Sequence, residues 1–177
     1  LLNAAIELFG ERAYDVITLR DIGDRAGVDA ALVARYFGSK SALYLEALRM
    51  DYIALESESL ADRLDQLVDR SLERYAKGRV GVITRALFDP YLEPDLRQAA
   101  AEEIRLHLLE RVYGGAREAI SPSLALRIEM GIAALMGVAI QRLKGNFEAL
   151  GAATDDELGP LMKALLRSIV FDGEDAL

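Results

Sequence analysis

The chain has 177 residues, 52% of them hydrophobic, with 21 basic and 29 acidic side chains for a formal net charge of -8. It holds no cysteine and one histidine, His107, which excludes disulfides and thiolate metal sites and makes a histidine metal cluster or a Ser-His-Asp triad hard to build. The acidic balance argues against a nucleic-acid partner, because neutralising phosphates needs clustered Lys and Arg. The longest uncharged stretch, Met130 to Gln141, is 12 residues, short of the roughly 18 to 20 of a membrane span, so no membrane partner is expected. Freedom from cysteine suits a reducing cytoplasm, the expected location. No catalytic residue, metal or cofactor is expected, since no Gly-rich phosphate loop, ligand cluster or activated nucleophile is present.

Apolar residues recur at three- and four-residue spacings almost throughout, which predicts helices. The first, 1–11, is under way at Leu1, so a preceding tail is expected; it presents Leu2, Ile6, Phe9 and Ala13 along one face. Thr18 caps the second helix, with Asp21 completing an acidic capping box and Gly27 ending it. Asp29 caps a third, 30–36, which points Val33 and Phe37 inward. Gly38-Ser39 closes it, and Ser39 caps the next. Longer helices follow near 40–59, 61–77, 80–88, 95–119 and 122–146, the last opened by Ser121-Pro122. Thr154 to Glu157 match another capping box, yet Pro160 would clash six residues in, so the final helix, to 171, either starts at Pro160 or kinks there. The fold class is all-α: an N-terminal three-helix helix-turn-helix unit, 1–44, and a larger C-terminal helical domain, 45–177.

A recognition helix needs one face anchored in a core and the other free to enter a major groove about 12 Å wide. Val28, Val33 and Phe37 supply the anchor, and small Ala31 and Gly27 allow the helices to cross closely. The free surface is then Asp29, Ala30, Leu32, Ala34 and Arg35, with Tyr36 at its edge. Arg35 can bond guanine O6 and N7 together; a phosphate contact, or an ion pair with Asp24 or Asp29, is equally open. Leu32 and Ala30 can touch thymine methyls. Lys40 sits where an ammonium and first-turn N–H groups can grip one phosphate. Thr18 is a cap more surely than a phosphate ligand.

The stretch from Thr18 to Leu43, TLRDIGDRAGVDAALVARYFGSKSAL, resembles the DNA-binding signature of the TetR family of transcriptional regulators. The matching features are Thr-Leu-Arg-Asp-Ile, the Arg-Ala-Gly-Val turn, Tyr36-Phe37, and Gly38-Ser39-Lys40 followed by Ala42-Leu43. Ala4-Ala5 to Phe9-Gly10 is similar to the family's first helix, so the resemblance covers about the first fifty residues. It implies DNA-backbone contacts for Lys40 and Tyr36. Two departures stand out: Val33-Ala34 replaces a frequent Leu-Tyr pair, and Asp29-Ala30 replaces a Ser followed by Lys or Arg. Asp29 can instead accept from a cytosine N4 amine. The charge is also segregated, since residues 1–50 carry 6 basic and 7 acidic side chains and residues 51–177 carry 15 and 22.

In the larger domain, helix 122–146 is apolar on every side between Met130 and Ile140, so both faces need cover. A two-fold homodimer through a four-helix bundle is expected, with Gly131, Ala134, Leu135, Val138, Leu161, Leu165 and Ile169 at the interface; the family resemblance implies the same pairing. Candidate effector-pocket residues are Tyr52, Leu55, Tyr75, Ile83, Leu87, Phe88, Tyr91, His107 and Tyr113, whose character suits an apolar small molecule. The reading is a ligand-responsive regulator, a repressor, that binds a pseudo-palindromic double-stranded DNA operator as a homodimer and is released by a hydrophobic effector. The alternative is a non-enzymatic helical protein for small molecules or protein contacts, with weak or lost DNA binding.

Overall fold

The structure, a computed structural model, describes residues 1–51, 55–115 and 120–171. Among these the regular elements are all helical, as the spacing predicts. They run α1 (Leu2–Glu11), α2 (Leu19–Ala26), α3 (Ala30–Phe37), α4 (Lys40–Met50), α5 (Leu60–Tyr75) and α6 (Val82–Phe88). Then come α7 (Pro94–Glu103), a π-helical turn (Ile104–Leu108), α8 (Leu109–Tyr113), α9 (Pro122–Lys144), α10 (Glu148–Ala152) and α11 (Asp155–Phe171). Contacts group the chain into two compact units: Leu1–Tyr52 with Arg79–Leu108, and Ile53–Gly78 with Leu109–Leu177. This grouping follows packing, whereas the expected boundary at 44/45 rests on the roles read from the sequence.

The first unit is built around α1 and α4. α1 buries Ala4, Ala5, Leu8 and Phe9, while Leu2 and Ile6 are only half-buried, so its inward face is rotated from the one the spacing suggests. Phe9 and Tyr14 meet the ring of buried Tyr44 edge-on, with centroids 4.9 and 4.8 Å away. α4 ends at Met50, well before the expected 59. Asp51 caps it, and the buried carboxylate of Asp51 accepts from the Val82 N–H at 2.5 Å, fastening the start of α6. Arg85 of α6 donates from Nε to the Gly10 carbonyl at the end of α1. Arg25 of α2 reaches Glu11 and Glu7 of α1 at 3.1 and 3.4 Å.

In the second unit α11 packs on both α5 and α9. Leu158, Met162, Leu166 and Val170 face inward from α11, against Leu64, Val68 and Leu72 of α5 and Ile128, Ile132 and Leu135 of α9 as the other core residues. A Cβ on Gly131 would lie 2.7 Å from Leu166 Cδ2, so the Leu166 side chain sits directly against the α9 backbone there. The expected helix 95–119 is interrupted: the α-helix stops at Glu103, passes through the π turn, and ends as α8 at Tyr113. Buried Arg63 explains that end. Its Nε and Nη2 donate to the carbonyls of Val112 and Tyr113, and its Nη1 to those of Ser57 and Glu58.

The final helix starts at Asp155, not at Pro160. Thr154 Oγ1 accepts from the Glu157 N–H, and the Glu157 carboxylate accepts from the Thr154 N–H at 2.8 Å. Pro160 therefore lies inside α11. The short α10 is not anticipated by the sequence pattern. α9, at 23 residues and with a mean hydropathy of 1.7 over its most apolar window, has the length and composition of a membrane span, although its longest uncharged run is only 12 residues. Only a third of that window is buried, so α9 combines a packed side with an open one.

Candidate nucleic-acid interface

α2 and α3 are set by local hydrogen bonds. Thr18 Oγ1 accepts from the Asp21 N–H at 3.1 Å and donates to Asp21 Oδ2, while the Thr18 N–H donates to that same oxygen at 2.7 Å. These bonds from Thr18 hold the Asp21 carboxyl below the usual carboxylate range. Thr18 is thus engaged as a cap. Gly27 closes α2 at φ +69°, a left-handed conformation glycine adopts without strain. The close crossing, though, is made by Gly23: a Cβ there would stand 2.7 Å from the Val28 carbonyl oxygen and 3.2 Å from the Ala30 nitrogen. Gly27 has open space around it and Ala31 is exposed, so neither serves the crossing.

α3 packs on α2 and α4 through few buried side chains. Val33 is fully buried, with Val28 and Phe37 half-buried beside it. Asp29 accepts from the Ala31 N–H at 2.6 Å and so caps the helix with one of its oxygens. Leu32, Ala34, Arg35 and Tyr36 are exposed and Ala30 is half-buried; Tyr36 reaches 73% and Leu32 39%. Arg35 pairs with neither Asp24 nor Asp29 among the described residues. Asp24 faces Arg20 at 3.9 Å instead, which removes the ion-pair reading and leaves the guanidinium of Arg35 to solvent.

Lys40 takes an unexpected place. Its Nζ donates to the carbonyls of Tyr14 and Ile17, both at 2.9 Å, and lies 4.1 Å from the centre of the Tyr14 ring. Burial pulls its pKa down, against the carboxylates of Asp15 and Glu93. The Tyr14 N–H in turn donates to Asp89 Oδ2 at 3.0 Å, and Asp89 Oδ1 accepts from the Tyr91 N–H. Nothing in the sequence marks Asp89, because its partner lies 75 residues away.

The effector-pocket candidates are distributed over both units. Tyr52 lies outside the described residues. In the first unit Ile83 is buried, whereas Leu87, Phe88 and Tyr91 are exposed. His107 is half-buried, with Nε2 3.0 Å from Glu103 Oε2, and Glu103 Oε1 accepts from Arg49 Nε at 2.8 Å. In the second unit Leu55 is half-buried, and burial pushes the half-buried Tyr75 phenol up to about 12. Tyr113 is buried and its hydroxyl donates to Glu129. A groove of about 620 Å³ between α5 and the first turns of α11, with Asp69, Leu72, Asp155, Pro160 and Lys163 in its lining, contains none of them.

The expected interface residues divide as well. Leu161 and Leu165 are exposed, and Ala134, Val138 and Ile169 are half-buried. Gly131 and Leu135 are buried inside their own unit, Gly131 against Leu166, because the α9–α11 contact uses that side of α9. The open side carries Leu126 and Met130 instead.

The capped, sparsely anchored α3 behind α2 is a helix-turn-helix, and comparison with known proteins agrees. The model of the TetR family of bacterial regulatory proteins matches residues 1–47. The HTH-type transcriptional repressor Rv3405c of Mycobacterium tuberculosis is 34% identical over 139 residues, spanning 72% of this chain and 68% of that one. BetI of Agrobacterium fabrum, an HTH-type transcriptional regulator, is 45% identical over 49 residues, or 28% of this chain and 24% of its own. In fold, a TetR-family regulator from Streptomyces coelicolor superposes with a TM-score of 0.64 at 18% identity, covering 95% of this chain and 76% of that one. FadR of Bacillus subtilis, solved with stearoyl-CoA, does so with 0.58 at 16% identity, covering 96% of each. Extended identity to a curated regulator, added to the signature in residues 1–47, places the chain in the TetR family of transcriptional regulators.

Proposed function

We propose that this regulator is a ligand-responsive repressor that binds a pseudo-palindromic DNA operator as a homodimer and is released by a hydrophobic effector. Residues 1–44 read the duplex, and residues 45–177 supply effector binding and dimerisation. The carrying observation is α3 itself: a helix with one buried side chain and a cap at its start, and with Arg35, unpaired among the described residues, beside exposed Leu32, Ala34 and Tyr36. A guanidinium flanked by small apolar groups suits a guanine edge beside thymine methyls. Tyr36 serves the DNA backbone, and the Asp29 oxygen not used in capping can accept from a cytosine amine.

The exposed Leu126, Met130, Leu161 and Leu165 on α9 and α11 supply the apolar surface that a four-helix dimer interface needs. Two recognition helices must stand roughly 34–36 Å apart to enter successive major grooves, so an effector that binds a differently spaced state more tightly releases DNA. The repressor named among the relatives supports the direction of control, and the stearoyl-CoA bound by FadR supports an apolar effector. Selection of duplexes from a random pool by the full chain tests the reading, with and without long-chain acyl thioesters. Palindromic enrichment is expected, weakened by an effective thioester. Arg35→Ala should relax discrimination at one base pair per half-site by about 1–3 kcal/mol. Absence of enrichment, or unchanged discrimination in that variant, overturns it.

A further inference from the structure

We propose that Glu103 is a positioning residue that ties the last turn of α4 to the π turn after α7, and that His107 makes this tie respond to protons. The inference rests on the DNA-binding reading of residues 1–44 and adds a means of regulating that site. Glu103 ends α7 and is 8% exposed. Its Oε1 accepts from Arg49 Nε at 2.8 Å, and Arg49 stands in the last turn of α4. That bond raises the already high pKa of the guanidinium, so Arg49 keeps its charge at any working pH. The second oxygen of Glu103, Oε2, is buried without a hydrogen-bond partner among the described residues, and His107 Nε2 stands 3.0 Å from it. A neutral imidazole carries one N–H and a charged one carries two. With the added proton on Nε2, the buried Oε2 accepts a charge-assisted bond, roughly twice as strong as a neutral one.

Composition isolates this response. The 177 residues hold one histidine and no cysteine, and imidazole is the side chain that ordinarily changes charge between about pH 6 and 8. Charged neighbours on the packed elements are otherwise engaged or lie further along. From α4, Glu46 shares the Arg49 guanidinium at 3.6 Å. From α6, Arg85 is turned to the Gly10 carbonyl. On the same helical run, exposed Glu102 and Arg105 pair with each other, while Glu110 and Arg111 follow one turn beyond His107. The tie also spans an irregular element: Glu103 precedes the π turn and His107 lies within it, and such turns occur mostly at functional sites. Its hold reaches α3 through α4, because Gly38 and Ser39 alone separate those two helices. A recognition helix held in place needs less ordering when it enters a groove. The folded chain offers the added proton a partner that the unfolded chain lacks. The contribution is therefore present below the imidazole range and lost as pH rises through it.

The test compares the full chain with His107→Gln and Glu103→Gln at about pH 6 and about pH 8, at constant ionic strength. Melting is followed without DNA, and affinity is measured for a duplex recovered by selection. The wild-type chain should melt higher at the lower pH and bind the duplex about fivefold tighter there. His107→Gln should show neither difference and should match the wild type at the higher pH. Glu103→Gln should also lose both differences, although its imidazole still titrates, and should bind more weakly at either pH. That variant separates the tie from a histidine charge that acts on DNA directly. Equal melting and equal affinity of the wild type at the two pH values overturn the proposal, as does a Glu103→Gln chain that keeps the full pH response. If Glu103→Gln does not fold, His107→Gln decides, since it alters a half-buried side chain. If the wild-type chain enriches no duplex, the DNA reading fails instead. Melting at the two pH values then still decides for or against the tie.

Discussion

α3 and α9 both leave apolar side chains uncovered, in opposite settings. α3 has eight residues and buries only Val33. Its exposed face mixes Leu32 and Ala34 with the guanidinium of Arg35. α9 has 23 residues and buries six, from Ile128 to Ile140, while Leu126, Met130 and Ala133 stay open on its other side. The difference teaches that the amount of burial does not say what a free face is for. A cation among small apolar groups suits base edges and phosphates, whereas an apolar stripe on a helix packed along its other side suits another apolar surface.

Substitutions can break one side of this comparison at a time. The largest effect is expected from Leu166→Ala, which empties the contact that holds α9 against α11 and should cost about 2–5 kcal/mol in denaturant unfolding. Gly23→Ala comes next. Its methyl meets backbone rather than a flexible side chain, so about 1–3 kcal/mol is expected, with loss of duplex binding and no change in oligomeric mass by light scattering. Should both binding and mass survive Gly23→Ala, the α2–α3 crossing is more compliant than its geometry indicates.

Leu161→Lys acts in the reverse sense, placing a charge on the open side of α11. Its cost to the fold of the protomer should stay within about 0.5 kcal/mol, yet the mass should shift toward monomer and duplex affinity should fall. A dimer that persists would remove α11 from the interface. The smallest effect concerns acid. Asp21 and Glu157 have carboxyls held low by Thr18 and Thr154, so their contribution is present above the ordinary carboxylate range and lost as pH falls through the depressed folded value. Asp21→Asn should flatten the acid limb of the melting curve for the first unit, and Glu157→Gln that of the second. Identical acid limbs in wild type and both variants would show that the caps add nothing measurable.

Much of the candidate site was legible because its devices are local. Thr18, Asp29, Ser39 and Ser121 each cap a helix through a bond to a residue two or three positions on, so the pattern shows in any short window. The family signature lies in the same segment. What escaped is made of distant pairs. Asp51 holds Val82 across 31 residues, Arg63 holds Val112 across 49, and Asp89 holds Tyr14 across 75. Arg63 takes the carbonyls at the end of α8, short of the expected 119, and Asp51 takes the amide that opens α6, so orphaned backbone groups found side-chain partners elsewhere in the chain.

Sequence alone therefore determined the helical class, the capped helix-turn-helix and the family, since periodicity, caps and turn residues act within one or two helical turns. It also separated the charge, leaving residues 1–50 nearly neutral and most of the acidic excess beyond them. Only tertiary structure decided which partners each exposed or charged group meets. Lys40, read as a phosphate contact, is held by two carbonyls, and Gly131, read as an interface residue, is covered by Leu166 of its own chain. Among the described residues Arg35 pairs with neither nearby acid, Asp24 facing Arg20 and Asp29 the start of α3. The physical reason is that a side chain's partner is chosen by distance in space, and spacing along the chain reveals that only inside a helix or turn.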